Sequence, residues 1–210
     1  MGKRPGLLVQ ARHDRLVVFC SICICSSPTK IGTKRFRLDF LYPCTPQRLW
    51  KLLMDERKDW DDSIESFRKV SDLSHLHQGA FVSHIATGSV GIISSREFVD
   101  INHTEVDPAT GVLLSFGQSV KPPASWAANP KCVLGMNFPG CGWRLTPCAH
   151  DGSAVGLGSS EESEAPSCRI QYVIHTELSG WLPAMAVNAG MTSTLVAFIK
   201  ASLAHLNAAS

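Results

Sequence analysis

The sequence predicts an α+β fold, in which a curved antiparallel sheet packs against one long C-terminal helix. Two β segments, Leu16–Cys25 and Arg35–Tyr42, come before a short helix. Further strand-like segments follow, and apolar residues then recur at helical spacing up to the C-terminus. The chain has 210 residues, of which 44% are hydrophobic and 18% charged, so it can bury a substantial core.

The first helix has a well-marked start. Thr45 can cap it and Pro46 suits the first helical position. Leu49 and Leu53 belong to its apolar stripe, and we expect the helix to end near Lys58.

The strands predicted after this helix are separated by turn residues. They cover Phe67–Leu73, Phe81–Ala86, Arg96–Val106, Val112–Val120, Cys132–Asn137, Gly142–Thr146 and Cys168–Leu178. The turn Asp107–Gly111 should join two of them as an antiparallel hairpin. His150–Ser167 is rich in Gly, Ser and Glu and is predicted to be a flexible loop, and Pro183 should begin the last helix.

The N-terminus allows two interpretations. We take residues 1–15 as a basic lead and residues 16–210 as one domain. Basic residues followed by the apolar run Leu16–Cys25 are also typical of a secretory signal peptide. Asp14 in the lead, the missing small-residue cleavage site and the alternation of the run favour a strand. We predict a cytoplasmic protein, or a secreted one if this run is a signal-peptide core.

Composition argues against several classes of protein. The net charge of +2 lacks the basic excess of a nucleic-acid-binding protein. The longest apolar run is about half of the ~18 residues that a membrane-spanning helix needs. The eight cysteines form no pair of metal-binding knuckles, and we interpret them as small buried side chains. We therefore predict no metal, no cofactor and no nucleic-acid partner, and we expect a monomer.

Enzymatic motifs are sparse. The sequence has no phosphate-binding loop, dinucleotide fingerprint or HExxH motif. His75 and His77 lack an evident third metal ligand, and a solvated pair is the simpler interpretation. Cys141 and His175 could form a thiol–imidazole pair, but a core cysteine and a strand histidine explain them as well. We therefore predict no enzymatic activity.

Five segments, taken together and in order, resemble a StAR-related lipid transfer (START) domain. They are Thr45–Trp50, Trp60-Asp61, Ile93–Asp100 (ISSREFVD), Gly135–Gly142 and His175–Pro183. The small cytosolic subgroup related to sterols and bile acids is the most similar. The resemblance implies a helix-grip fold, with one lipid held in a tunnel between the sheet and the last helix, and lipid transfer without covalent chemistry.

The resemblance also implies roles for two polar positions. Arg96 corresponds to a family arginine that forms a structural ion pair. Steroidogenic members have a second arginine six residues later, paired with a buried acid upstream. Here Asn102 stands at that position, and the upstream strand offers His84 and Ile85 near the expected acid. The charged pair is therefore absent, which weakens a strict cholesterol assignment.

The candidate lipid-binding residues follow from the inward positions of these elements. They are Ile85, Asn102, Phe116, Met136, Val173, His175, Met191, Leu195 and Phe198. The apolar members could equally pack a closed core. Asn102 and His175 are polar at strand positions expected to face inward, where a lipid hydroxyl could bind them. An outward-facing polar residue is the alternative for both.

Two further segments could contact a membrane or open the tunnel. Trp126 lies in the Pro-rich loop Lys121–Pro130 and suits a membrane interface, or packs against the sheet edge. Gly190 lowers the stability of the last helix, which we expect to act as a lid.

The leading prediction is a soluble protein that binds one hydrophobic lipid and transfers it between membranes by transient contact. A sterol is the favoured ligand, with a bile acid or phospholipid as other choices. The alternatives are an enzyme of the cyclase or hydrolase type on the same scaffold, and a lipid-sensing regulatory module without transfer activity.

Overall fold

The computed structural model describes residues 7–13, 16–26, 34–122, 129–149, 166–180 and 182–208. The strands are β1 (Leu7–His13), β2 (Leu16–Ser26), β3 (Lys34–Tyr42), β4 (Ile64–Asp72), β5 (Ala80–Thr87), β6 (Arg96–Val106), β7 (Leu113–Ser119), β8 (Val133–Leu134), β9 (Met136–Asn137), β10 (Cys141–Cys148) and β11 (Ser167–Glu177). The helices are α1 (Pro46–Met54), α2 (Arg57–Trp60) and α3 (Ala184–Ala208).

Nine strands form one open antiparallel sheet in the order β1-β2-β3-β11-β10-β7-β6-β5-β4. The two short strands lie off this path, with β8 parallel to β6 and β9 antiparallel to β11. The pairing of β3 with β11 brings the two halves of the chain together, so the long helix after β11 can return across the sheet.

Local sequence explains the start of α1. The Thr45 hydroxyl accepts a hydrogen bond from the Arg48 backbone N–H at 3.2 Å, and Pro46 follows at the first helical position. The helix ends at Met54 instead of near Lys58, because a break separates it from the one-turn helix α2. Trp60 of α2 donates its indole N–H to the Leu52 carbonyl at 3.0 Å and fixes α2 against α1.

One core lies between the concave face of the sheet, α1 and the C-terminal half of α3. It contains alternate residues of the central strands, among them Phe36, Leu38 and Ile170, and Leu195 and Phe198 of α3. The Tyr42 hydroxyl contacts the Ser202 hydroxyl at 2.7 Å, with both residues fully buried. This contact fastens the C-terminal half of α3 to the sheet.

Most predicted elements are confirmed with small shifts of their ends. Strand β6 has the predicted bounds, and Gly111 of the following turn has a φ of +67°. The predicted strand Cys132–Asn137 is two strands, because residues on either side of Gly135 pair with different neighbours.

Three predicted segments either differ from the structure or lie largely outside the described residues. The basic lead contains strand β1, which pairs with β2 and was not predicted. Most of the predicted loop His150–Ser167 lies outside the described residues, and Ser167 already belongs to β11. Trp126 also lies outside the described residues.

Candidate functional site

Two adjoining cavities lie between the concave face of the sheet and α3. The larger has a volume of about 180 Å³ and the smaller about 90 Å³. The side chains that border both cavities are Arg57, Ile85, Asn137, Tyr172 and Ile174. Because five residues are shared, the two spaces form neighbouring compartments of one internal site.

The larger cavity is bounded by apolar side chains of α3 and the sheet. Met191, Leu195 and Phe198 of α3 face Ile174 of β11 and Phe98 of β6 across it. This arrangement provides a predominantly apolar space for a hydrophobic ligand.

One end of the larger cavity lies where α3 approaches the loop after β5. Val90 and Ile93 of this loop and Gly190 of α3 line the cavity there. A Cβ at residue 190 would stand 3.1 Å from Ile93 Cδ1 and 4.0 Å from Val90 Cγ1. Gly190 therefore permits the close approach of α3 to this loop.

The smaller cavity brings several hydrogen-bonding side chains together. Asn102 Nδ2 donates to the Ser83 hydroxyl at 2.8 Å. Two neutral side chains therefore pair where steroidogenic members are expected to have an arginine and a buried acid. Asp100 accepts hydrogen bonds from the Ser119 hydroxyl at 2.6 Å and from Asn137 Nδ2 at 2.9 Å. Burial raises the pKa of Asp100, and these two hydrogen bonds oppose that rise.

Arg57 lies at the junction of the two cavities. Its Nε donates to Asp61 Oδ2 at 3.0 Å, and its side chain is 14% exposed. The guanidinium carbon is 5.6 Å from the centre of the Trp143 ring and 5.5 Å from that of Phe198. The paired carboxylate and the aromatic rings together stabilise a cation in this partly buried position.

The predicted lipid-binding residues fall into three groups. Ile85 lines both cavities; Asn102, Phe116 and Val173 line the smaller; and Met191, Leu195 and Phe198 line the larger. By the strand register, however, Phe116 (opposite His103) and Val173 (opposite Arg37) belong to the outer face of the sheet, and Phe116 is 46% exposed. Met136 and His175 are not among the residues that line either cavity.

His175 projects from the face of β11 opposite to the cavities. Its register partner is Arg35, whereas the neighbouring Ile174 is opposite the buried Phe36. The ring lies 4.5 Å from that of Phe138, and Arg35 Nε donates to Nδ1 at 3.4 Å. The His175 Nε2 atom is buried and has no hydrogen-bond partner among the described residues. Desolvation and the Arg35 charge lower the pKa of His175, which favours the neutral ring.

Arg96 has a structural position, with carbonyl oxygens as its partners. It donates to the carbonyls of Leu178 and Ser94, each at 2.5 Å, and to that of Ser179 at 3.3 Å. Among the described residues it forms no ion pair, in contrast to the carboxylate partner expected from the resemblance. Arg96 thus ties the start of β6 to the segment that leads into α3.

Sequence analysis missed Arg57, Asp100, Asn137 and Tyr172 as lining residues. Asp100 shares the face of β6 with Asn102, so alternation could have identified it. The orientation of Arg57 depends on the break between α1 and α2, which no sequence pattern marks clearly.

The described residues offer little for covalent or metal chemistry. Cys141 Sγ contacts the backbone of His175, at 3.1 Å from O and 3.0 Å from N, and not its ring. Burial raises the pKa of the Cys141 thiol to about 11, which disfavours the reactive thiolate. Within the described part of the chain, no group of three or more His, Cys, Asp or Glu side chains is arranged to hold a metal ion.

The helix α3 is also long and apolar enough to cross a bilayer, judged by length and composition alone, over Met185–Ala208. The core helix of a soluble protein meets the same criterion but is mostly buried, whereas 22% of the apolar stretch of α3 is buried. Leu195, Phe198 and Leu206 of α3 are buried in the core described above.

Two sequence comparisons match this chain to the same group of proteins. A family model described as START domain matches residues 21–210. The human StAR-related lipid transfer protein 4 is 33% identical over 145 residues, which are 68% of this chain, and the match spans 60% of that protein's length.

Two solved structures share the architecture. Human StAR-related lipid transfer protein 5 has a TM-score of 0.70 at 22% identity, covering 93% of this chain and 84% of that chain. The lipid transfer and protein localization domain of human StarD13 (DLC2) has a TM-score of 0.67 at 15% identity, covering 94% of this chain and 89% of that chain. They confirm the predicted fold class, an open antiparallel sheet with a C-terminal helix in the helix-grip arrangement.

Proposed function

Because the chain belongs to the START domain family, whose members generally bind or transfer lipids, we propose that it binds one sterol-like lipid and transfers it between membranes. The observation that carries this proposal is the pair of adjoining cavities between the sheet and α3. The name of its relative, a lipid transfer protein, supports the same activity.

The hydrophobic effect supplies the affinity. Each methylene that moves from water into the apolar cavity contributes about 0.8 kcal/mol. The larger cavity offers Leu195, Phe198 and Ile174 to the apolar body of the lipid, and the smaller offers Asn102 and Ser83 to its polar end. A lipid would therefore lie with its polar end toward the smaller cavity.

Binding requires the site to widen. Pockets for drug-sized ligands typically measure about 300 to 1,000 Å³, and both cavities are smaller than this. Tyr42 and Ser202 fasten the C-terminal half of α3, whereas Gly190 lies in its N-terminal half. We therefore expect the N-terminal half of α3 to move outward with the loop around Ile93, which makes this end the mouth of the site.

The cysteines bear on the compartment in which the protein acts and on its chemistry. We propose that the protein acts inside the cell as a monomer that contacts membranes transiently. Cys44, Cys132, Cys141 and Cys168 form no disulfide with a described residue, which suits a reducing compartment. We propose no covalent step, since the buried thiols have raised pKa values and the cavities hold no arranged nucleophile and base among the described residues.

Mass spectrometry of the natively purified protein, followed by a vesicle assay, tests this function. We expect one co-purifying lipid class and accelerated movement of a fluorescent sterol from donor to acceptor vesicles. Saturable binding without transfer would favour the lipid-sensing module. Chemical conversion of the bound lipid would favour the enzyme. A protein that binds neither sterols, bile acids nor phospholipids would contradict the proposal.

A further inference from the structure

We propose that Asp100 selects lipids with an uncharged hydroxyl head and excludes lipids with an acidic head. This inference rests on the proposed function, because it concerns the polar end of the same site. It distinguishes a sterol alcohol from a bile acid or a sterol sulfate, which the comparisons do not.

Asp100 is a buried acid with hydrogen bonds but no cation beside it. The residue is 5% exposed, on the concave face of β6. Its two oxygens accept from Ser119 and Asn137, which are neutral, and no ion pair joins it to a described residue. A carboxylate offers about four acceptor positions, so Asp100 retains capacity for a further donor from the cavity that it lines.

The nearby polar side chains in the smaller cavity are neutral as well. Ser83 and Asn102 bond to each other, and Asn102 Nδ2 also lies 3.1 Å from the Asp100 carbonyl oxygen. A hydroxyl group can donate to the Asp100 carboxylate while it accepts from an amide or hydroxyl beside it. An ionised acidic head offers no donor and brings a like charge, which the Asp100 carboxylate repels at close range.

Arg57 does not compensate the charge of Asp100. Its Nε is bonded to Asp61, whose other oxygen accepts from the Ser63 backbone N–H at 3.1 Å and also from the Ser63 hydroxyl. Arg57 and Asp61 thus form a neutral pair at the junction of the cavities. Among the described residues that line the smaller cavity, Asp100 is thus the charged group without an ionic partner.

Competition between two forms of one sterol tests this inference. A fluorescent sterol is bound at pH 8 and displaced by cholesterol or by cholesterol sulfate, which differ only at the head. We expect wild type to bind the alcohol at least about tenfold more tightly, as a like-charge cost above 1.4 kcal/mol implies. Asp100→Asn should reduce this ratio to near one. Asp62→Asn removes the same charge at an exposed position outside the cavities and should leave the ratio unchanged.

The outcomes separate this inference from the proposed function. If wild type binds cholesterol and cholesterol sulfate equally, or binds the sulfate more tightly, this measurement alone overturns the role of Asp100. A folded Asp100→Asn protein that keeps the wild-type ratio would overturn it too. If the fluorescent sterol does not bind, or if neither cholesterol nor cholesterol sulfate displaces it, the proposed function itself fails.

Discussion

Glu56 connects the end of α1 to α3 through cationic neighbours. Its carboxylate lies 2.7 Å from Arg48 Nη1, 3.6 Å from Lys51 Nζ and 3.5 Å from His205 Nε2. The hydrogen bond from Arg48 holds the pKa of Glu56 below its usual value of 4.5. A carboxyl whose pKa is lower in the folded state contributes stability above its unfolded pKa. This contribution is lost as the pH falls through the folded pKa.

Glu56→Gln should therefore lower the free energy of unfolding in a pH-dependent way. We expect a loss of about 0.5 to 1 kcal/mol at pH 7, because the pair is partly exposed. The loss should shrink as the pH falls below about 4.5 and toward the lowered pKa. Urea unfolding at pH 7 and pH 3 measures the difference, with Asp59→Asn, an exposed acid on α2, as the control. An equal loss at both pH values would show that charge is not involved.

At the scale of single residues, sequence identified Asn102 as a cavity residue but not the direction of His175. Asn102 lies on β6, whose bounds were predicted correctly, so its orientation follows from the alternation. His175 was predicted to face inward, but its direction depends on the register of β11 against β3, which pairs His175 with Arg35. That register depends on contacts between residues 140 positions apart, which a local pattern does not contain.

At the scale of elements, α3 is fastened to the sheet in its C-terminal half, and we propose that its N-terminal half moves. The Tyr42 and Ser202 hydroxyls lie 2.7 Å apart, and the Ser202 hydroxyl also lies 3.0 Å from the Ile199 carbonyl oxygen. A buried hydrogen bond of this kind contributes about 1 kcal/mol.

Tyr42→Phe should lower the free energy of unfolding by about 1 kcal/mol, because it removes one hydroxyl from a fully buried hydrogen-bonded pair. Ser202→Ala should have a similar effect. The two substitutions together should cost less than the sum of their separate losses, since each removes the same bond. Urea unfolding of the four proteins in this cycle measures the coupling, and strictly additive losses would show that the bond does not fasten α3.

The other half of α3 provides the proposed mouth. A disulfide between residues 90 and 190 should close it, because Val90 Cγ1 lies 4.0 Å from the Cβ position of residue 190. We expect oxidised Val90→Cys/Gly190→Cys to stop transferring sterol between vesicles and to recover after reduction. Each single variant under the same oxidation is the control. Unchanged transfer by the cross-linked protein would place the mouth elsewhere.

At the scale of the whole molecule, much of the fold could be predicted because it depends on local patterns. Capping by Thr45, the turn at Gly111 and the apolar spacing of α3 each mark an element within a few residues. The order of strands in the sheet and the split at Gly135 depend on long-range pairing, so the sequence did not show them.

The candidate site was predictable in part for the same reason. Leu195 and Phe198 line the larger cavity at the helical spacing that the sequence shows. Arg57 lines both cavities only because the chain turns after Met54. A break of this kind between two helices has no strong marker in the sequence.

Filling the junction of the cavities tests most directly the claim that one lipid binds between the sheet and α3. Ile85 lines both cavities, so Ile85→Trp should obstruct them together. Val70→Trp, at an exposed position of the edge strand β4, is the matched control. Titration with a fluorescent sterol should give one site per chain for wild type and for Val70→Trp, and no saturable binding for Ile85→Trp. Absence of saturable binding to wild type, or undiminished binding to a folded Ile85→Trp protein, would contradict an internal lipid site.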